Sequence, residues 1–278
     1  MNSPKIQALS LFTLLTAGVA ALGLNAQGQV LFQEGFNYPS GSNLGTQAPW
    51  GGGSSATLQV GPANLTYTGM QDLGGNDLVV TPGTASSDTN IFSNTTLNTG
   101  TLYFSFLVDS TTLATANNYL ISLNPAGIKP GGSADEFSFY TGANGAGWKI
   151  GVRTSGGGGG ATYETTVLNL SQTYLVVGEY NFATFTASLF LDPVPGASQP
   201  ATPDATQTGT LVSGGIENIG VKSQSALTQG NYLLDNFIIG DTWADVTPAA
   251  APEPSILALA GLGLLGLGTR FRRARKQV

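Results

Sequence analysis

The 278-residue sequence contains neither cysteine nor histidine. Their absence excludes Cys–His and Ser–His–Asp catalytic sites and any ordinary zinc site, because each of these uses at least one of the two residues. Disulfides are excluded as well, so the fold must depend on its hydrophobic core. Charged residues make up only 9% of the chain, whereas glycine occurs 39 times. This composition is typical of strands joined by many turns.

Positive charge is scarce in the central part of the chain. Residues 27–251 contain fifteen acidic and only four basic side chains, a formal net charge of −11, and the basic ones are Lys129, Lys149, Arg153 and Lys222. A region this acidic is not expected to bind nucleic acid or anionic lipid. Cations, Ca²⁺ included, are more natural partners.

The N-terminal residues have the pattern of a secretory signal peptide. Lys5 and the α-amino group provide positive charge, residues 6–24 are mainly apolar, and Ala26 or Gly28 offers a small residue for cleavage. We therefore assign residues 1–26 to a signal peptide and leave them out of the fold prediction. An uncleaved signal anchor is the alternative.

The C-terminal residues contain three parts in a fixed order. Pro252, Glu253 and Pro254 precede an apolar run over residues 255–268, and the cations that follow are Arg270, Arg272, Arg273, Arg275 and Lys276. The cations should stay on the cytoplasmic side of a membrane, so the rest of the chain would lie on the other side. The apolar run of about 14 residues would form a helix of ~21 Å, shorter than the ~30 Å hydrocarbon core. An ordinary C-terminal anchor is the alternative interpretation.

This three-part segment resembles the PEP-CTERM sorting signal of Gram-negative bacteria. In this chain the matching residues are Pro252, Glu253, Pro254, Arg270, Arg272 and Arg273. The resemblance implies export by the secretion machinery, a transient inner-membrane anchor, and processing by an exosortase-type enzyme near the Pro-Glu-Pro. It also implies a final location at the cell surface or outside the cell, in association with exopolysaccharide.

The region between the two signals is predicted to be all-β, because apolar residues alternate with period two between Gly, Pro and Asn turns. No convincing period of 3.6 occurs there. One sandwich domain is predicted over residues 27–247, followed by the sorting segment 248–278 with residues 247–251 as a linker. Residues 193–210 are predicted to be a long surface loop. The predicted strands lie at 58–60, 77–81, 101–108, 119–123, 136–140, 148–153, 163–168, 173–181, 184–191, 216–221 and 233–239.

Three segments, LFQEGFNYPSGSNLGTQ (residues 31–47), VVGEYNF…FTASLFLDP (residues 176–193) and LLDNFIIGDTWADVTP (residues 233–248), resemble laminin-G-like, concanavalin-like jelly rolls. In such folds the first and last strands lie side by side. The resemblance therefore implies that Phe32 and Phe36 lie near Phe237 and Ile239.

Glycoside hydrolases on this fold need two carboxylates facing a cleft, and carry them in an alternating acidic pattern along one strand. This chain lacks that pattern. Asp135 and Glu136 are adjacent, so they should point to opposite faces of a strand, and Glu179 stands alone on an outward position. We therefore predict that the protein is not an enzyme.

Calcium and carbohydrate sites are the remaining candidates. Asp72, Asn76 and Asp77 form one set of potential Ca²⁺ ligands and Asp135–Glu136 another, although Asp and Asn are also common turn residues. Asp235 and Asn236 are expected to be structural. Carbohydrate binding would use exposed aromatic side chains, for which the candidates are Trp50, Trp148, Trp243, Tyr140 and Tyr163. The three tryptophans are expected to pack in or against the core.

These observations predict an exported, non-catalytic protein of the bacterial surface or extracellular matrix. A lectin-like carbohydrate-binding module on the same fold is the alternative. A glycan hydrolase or lyase is a distant third.

Overall fold

A computed structural model of the protein describes residues 28–52, 55–83, 86–93, 95–128, 135–155, 160–210, 214–224 and 228–251. The predicted signal peptide, the Pro-Glu-Pro motif, the apolar run and the basic tail lie outside the described residues. In the part of the chain that is described, no helix is long and apolar enough to cross a membrane.

The described residues form two antiparallel sheets, as the all-β prediction requires. The strands are β1 Val30–Glu34, β2 Leu58–Val60, β3 Leu78–Val80, β4 Ser86–Ile91, β5 Thr101–Ser110, β6 Asn118–Asn124, β7 Phe137–Asn144, β8 Gly147–Thr154, β9 Thr162–Tyr163, β10 Tyr174–Asn181, β11 Thr186–Leu191, β12 Ala205–Thr208, β13 Asn218–Ser223 and β14 Tyr232–Gly240. The first sheet has eight strands in the order β12-β11-β10-β5-β14-β3-β2, with β1 also paired to β14. The second has six, in the order β4-β13-β6-β7-β8-β9. Two facing sheets of this kind make a jelly-roll-like sandwich.

The core between the sheets is built from phenylalanine rings on facing strands. Phe106 on β5 and Phe139 on β7 meet edge to face between the sheets with ring centroids 4.9 Å apart, and within the eight-stranded sheet Phe104 lies 5.3 Å from Phe237. Gly178 on β10 faces this cluster, and a Cβ there would come within 2.4 Å of ring atoms of both Phe137 and Phe139. Glycine is therefore required at that point for the two sheets to approach.

The first and last strands are adjacent, which confirms the predicted closure. In the β1–β14 register Phe32 lies opposite Ile239, and the rings of Phe36 and Phe237 meet edge to face at 5.1 Å. A bulge in β14 places Asn236 in the left-handed region with φ of 55°. Before the bulge β14 pairs with β3, and after it with β1. One long strand thus holds two shorter strands in the sheet.

The start of the domain is organised by one buried carboxylate, that of Glu34. Its Oε1 accepts the backbone N–H of Phe36 at 2.7 Å, and its Oε2 accepts Tyr38 Oη at 2.7 Å and Trp50 Nε1 at 2.9 Å. Burial and the neighbouring Glu34 raise the pKa of Tyr38 well above its usual value. These bonds hold Trp50 in the core, where it stacks against Phe36, as predicted.

The outer face of the eight-stranded sheet is covered by the loop over residues 61–77 and by the short helix α1, Trp243–Val246. Asp235 Oδ2 accepts the N–H of Leu65, and Asn236 Oδ1 accepts the N–H of Leu73, each at 2.9 Å. The two side chains tie the covering loop to β14. They are structural, as expected, and their partner is the covering loop.

The predicted linker at residues 247–251 is in fact docked on the domain. Thr247 is fully buried, the N–H of Gln71 donates to the carbonyl of Pro248 at 2.9 Å, and the N–H of Ala250 donates to the carbonyl of Gly69 at 2.8 Å. The sequence suggested a linker because the segment is short and consists of proline and residues with small side chains. Its backbone nevertheless completes the cover over the eight-stranded sheet.

Two strands were not predicted, because their inward positions are polar. On β4 the inward residues are Asp88 and Asn90, and on β12 Gln207 is buried. Gln207 accepts the N–H of Thr154 at 2.8 Å, so its amide is satisfied inside the fold. The prediction of residues 193–210 as one loop was therefore wrong at β12. The strand predicted at residues 163–168 is reduced to Thr162–Tyr163.

Candidate functional site

The outward face of the six-stranded sheet carries a row of tyrosines that crosses four neighbouring strands. In the backbone register Tyr119 on β6 lies opposite Tyr140 on β7. Tyr140 lies opposite Gly151 on β8, which in turn lies opposite Tyr163 on β9. A Cβ at Gly151 would come within 2.8 Å of the Tyr163 ring, so glycine leaves room for that ring. Three strand spacings of about 4.8 Å give the row a length of roughly 14 Å.

Each tyrosine ring in this row has a cation above it. The pairs and their distances to the ring centroid are Lys149 over Tyr163 at 4.3 Å, Arg153 over Tyr140 at 5.9 Å and Lys222 over Tyr119 at 5.9 Å. These separations fall within the range of a cation–π attraction. We call these six residues the tyrosine–cation face. Tyr119 is buried at its floor, and the other five are half-buried.

A bulge in β6 brings Tyr119 onto this face. Simple alternation would place Tyr119 on the same side as Ile121 and Leu123, which are in the core. The register shifts between Tyr119 and Ile121, so Leu120 also turns inward and Tyr119 turns outward. Tyr119 and Lys222 were both missed by the sequence analysis. A local bulge leaves no clear signal in the period-two pattern.

Small side chains lie beside the tyrosine row. Arg153 is opposite Ser138, Ser138 is opposite Ser122, and Ser122 is opposite Gly220. Burial raises the pKa of Tyr119 well above its usual value, and the hydroxyls of Ser122 and Ser138 act in the opposite direction. The phenol therefore lies beside both serines. Tyr119 and the two serines are buried, so the accessible part of the face consists of the three cations and the half-buried rings of Tyr140 and Tyr163.

Arg153 is held by a hydrogen bond as well as by its contact with the Tyr140 ring. Its Nη1 donates to Tyr140 Oη at 3.0 Å. Burial raises the pKa of Tyr140, while the Arg153 guanidinium lowers it and the Asp135 carboxylate raises it. A phenol that accepts a hydrogen bond from a guanidinium fixes the guanidinium in one place without neutralising its charge.

The adjacent acidic residues Asp135 and Glu136 lie on opposite sides of the six-stranded sheet. Glu136 Oε1 accepts the Tyr180 hydroxyl inside the fold, and Tyr180 stacks on the core residue Phe137. Asp135 raises the pKa values of Tyr119 and Tyr140 and so lies beside the tyrosine–cation face. The structure therefore does not bring the two carboxylates into a shared site.

The residues proposed as Ca²⁺ ligands each have their own local partner. Asp72 accepts the Gly74 N–H at 2.7 Å and the Asn64 side-chain amide at 2.9 Å, which is a turn geometry. Asn76 donates to the carbonyl of Tyr38, and Asp77 accepts the Ala63 N–H at 3.0 Å. Burial raises the pKa of Asp77. Within the described ranges, no group of three or more acidic side chains is placed to hold a metal ion.

The other candidates from the sequence also have structural partners. Glu179 accepts a hydrogen bond from the Gln199 amide at 2.6 Å. Trp148 is fully buried, with its Nε1 donating to the carbonyl of Asn169 at 3.0 Å. Trp243 packs edge to face on Phe190 at 5.1 Å, beneath the eight-stranded sheet's outer cover.

A cavity of about 400 Å³ opens on the side of the eight-stranded sheet. Its lining is Thr66, Tyr67, Thr68, Gln172, Thr173, Asp192, Val194 and Pro195. Asp192 contributes the single carboxyl group of this lining, and its Oδ1 accepts the N–H of Leu175 at 2.9 Å. Burial raises the pKa of Asp192, and burial together with Asp192 raises that of Tyr67 to about 12. The cavity therefore lacks a pair of facing carboxylates.

Comparison with known proteins identifies the C-terminal signal and the fold. Residues 250–273 match the PEP-CTERM protein-sorting motif. This motif implies export, transient membrane anchoring and processing by an exosortase-type enzyme. No curated protein sequence matches this chain.

The sandwich is similar to the catalytic domain of the glycoside hydrolase family 131 protein from Coprinopsis cinerea, with 13% identity and a TM-score of 0.52, covering 79% of this chain and 98% of that one. The VIP36 exoplasmic/lumenal domain in its Ca²⁺/Man3GlcNAc-bound form is 8% identical with a TM-score of 0.42, over 78% of this chain and 93% of that one. Trypanosoma rangeli sialidase is 14% identical with a TM-score of 0.42, over 77% of this chain and 31% of that one. At these identities the first comparison shows a shared fold alone.

Proposed function

We propose that this chain is an exported, non-catalytic protein of the bacterial surface or extracellular matrix, associated with exopolysaccharide, whose mature part is the sandwich. The sorting motif at residues 250–273 carries this proposal. The charge distribution supports it, because the acidic domain and the basic tail are separated at the motif. The exported part then has a formal net charge of −11, and the cations of the tail stay on the cytoplasmic side of the membrane.

The carboxylates support a role without catalysis. A glycoside hydrolase of the usual kind needs two carboxyl groups across one cleft. In this chain Asp135 lies beside the tyrosine–cation face, while Glu136 is bonded to Tyr180 inside the fold. The cavity near Asp192 contains one carboxyl group in its lining.

Fractionation with intact-mass measurement tests the export and processing. Protein recovered from the outer membrane or medium should lack at least residues 271–278. Recovery of full-length protein ending at Val278 in those fractions would contradict the proposal. Loss of processing on replacing Pro252 and Pro254 with alanine, with export retained, would tie the cut to the motif.

Assays on polysaccharides test the absence of catalysis, and with it the hydrolase or lyase alternative. The purified domain over residues 27–251 should release no reducing ends and no unsaturated products. Turnover that disappears in Asp135→Asn or Glu136→Gln would establish the enzyme alternative.

A lectin-like, carbohydrate-binding role is the second candidate, and the tyrosine–cation face favours it. Aromatic rings beside hydroxyl and charged groups are the usual makeup of a surface that binds sugars. The resemblance of the sequence to laminin-G-like jelly rolls belongs to this same candidate function. Glycan-array binding by residues 27–251 that is abolished in Tyr140→Ala would support it, and binding unaffected by that change would place the site elsewhere.

Calcium at Asp72, Asn76 and Asp77 stays a separate prediction. Carboxylate and amide oxygens are suitable ligands for this ion. A rise in melting temperature with millimolar Ca²⁺, reversed by a chelator and absent in Asp72→Asn, would support the site. An unchanged melting temperature would oppose it.

A further inference from the structure

We propose that the tyrosine–cation face binds an acidic polysaccharide, with Lys149, Arg153 and Lys222 pairing with carboxylate or sulfate groups along one glycan chain. This inference rests on the lectin-like candidate above and adds the chemical class of the ligand. It depends on the juxtaposition of three cations and three tyrosine rings on neighbouring strands of one sheet.

The position of the basic residues is the first argument. The exported region has four basic side chains among fifteen acidic ones, and three of the four lie on this one face. The domain as a whole repels polyanions, because its net charge is −11. Asp135 also lies beside this face, but the three cations outnumber it, so the face is a local site of positive charge for a negatively charged ligand.

The arrangement of rings and cations is the second argument. A neutral sugar would have to stack on an exposed ring face. Here each ring face already has a cation above it, at 4.3 to 5.9 Å from its centroid. An acidic ligand can pair with the cations where they are, whereas a neutral sugar would first have to displace them. The rings therefore act as supports that hold the cations in place for anion binding.

The spacing of the face fits a chain molecule. The cations lie on β8 and β13, with β6 and β7 between these strands. The backbones of β13 and β8 are therefore roughly 14 Å apart, from three strand spacings of about 4.8 Å. Lys149 and Arg153 are four residues apart on β8, about 13 Å along the strand. Separated charges of this kind suit an extended polymer with repeated acidic groups better than one compact anion. Ser122 and Ser138 are buried between them, so the glycan would contact the cations and the half-buried rings of Tyr140 and Tyr163.

The test uses the domain over residues 27–251 with polygalacturonate, its fully methyl-esterified form and dextran. A triple variant, Lys149→Gln with Arg153→Gln and Lys222→Gln, should bind polygalacturonate at least about tenfold more weakly, since three partly exposed ion pairs are lost. Wild-type binding should weaken as salt rises. A second triple variant, Lys149→Arg with Arg153→Lys and Lys222→Arg, should retain most of the binding. A third triple variant, Val194→Glu with Ser198→Glu and Ala201→Glu, is the control, because it lowers the net charge by the same three units at exposed positions between β11 and β12 of the other sheet.

The outcomes separate this inference from the proposal beneath it. Equal binding of the acidic polymer, its ester and dextran, unchanged in the Gln triple variant, would overturn the acidic specificity and leave a lectin. No binding to any glycan would overturn both. Equal binding to polyglutamate would show a general polyanion site and overturn the assignment to a glycan. Self-association of the domain that is lost in the Gln triple variant, without glycan binding, would assign the face to a second copy instead.

Discussion

Asp235 should make the stability of the domain depend on pH. Its side chain is 1% exposed on β14, where it ties down the covering loop. Burial raises the pKa of this carboxyl from 3.8 to about 7, and Asp72 and Asp77 add to the rise. Between those two pH values the folded state keeps a proton that the unfolded state has released. The free energy of unfolding contributed by this group is therefore greatest at low pH, and it is lost as pH rises toward 7.

The expected change in the free energy of unfolding follows from the shift in the pKa of Asp235. Each pKa unit corresponds to about 1.4 kcal/mol. From pH 5 to pH 8 the free energy of unfolding of the wild type should therefore fall by about 3 kcal/mol relative to that of Asp235→Asn. The variant has one fewer acceptor for the N–H groups of Leu65 and Asn236, which should cost it about 1–3 kcal/mol at pH 5. The two stability curves should therefore approach each other or cross at higher pH.

Urea unfolding followed by tryptophan fluorescence at pH 5, 6, 7 and 8 measures the difference, with linear extrapolation to water. Asp241→Asn, at an exposed carboxylate, is the control and should follow the wild type more closely. A wild-type-minus-Asp235→Asn difference that stays constant across these pH values would refute the reasoning. It would mean that the two backbone N–H groups bonded to Asp235 hold the ionised form despite its burial.

Two further changes test the core. Phe237→Ala should lower the free energy of unfolding by about 3–5 kcal/mol, because it removes a ring that contacts Phe36 and Phe104. Phe237→Leu is the control and should lower it by less. Equal small losses in both variants would mean that β14 is peripheral. Gly178→Ala should cost at least about 1–3 kcal/mol from the clash with two phenylalanine rings, whereas Gly51→Ala, with nothing within 4 Å of the added Cβ, should change the melting temperature little. A Gly178→Ala variant as stable as the wild type would show that the two sheets can move apart at low cost.

The sequence was most informative where strands are apolar on one side. Leu58–Val60 was predicted with the bounds that the structure shows, and the closure of β1 on β14, which the resemblance to jelly rolls implied, is present. It was least informative where polar groups face inward. Asp88 on β4 and Gln207 on β12 occupy inward positions, so period-two alternation of apolar residues was absent from those strands.

The candidate site could be predicted only in part. Lys149 and Arg153 lie in the strand predicted at residues 148–153, and Tyr140 and Tyr163 were among the candidate aromatics. Their common face depends on the register between strands that are distant in sequence, which alternation within each strand does not determine. Tyr119 depended in addition on a bulge. Pairing of each cation with a ring is therefore a property of the sheet and not of any one segment.

The docking of residues 248–250 affects how the sorting segment can be cut. The last backbone hydrogen bond of the described chain is made by Ala250, so only Ala251 separates the anchored backbone from Pro252. On the folded protein, the loop at Gly69 and Met70 is bonded to Ala249 and Ala250, two to three residues before Pro252. A membrane enzyme that acts near Pro252 would therefore find this loop next to the peptide that it cuts. Access then requires that residues 248–250 detach, or that cutting precedes folding. Removal of the tail would then depend on whether residues 248–250 are docked on the loop at Gly69.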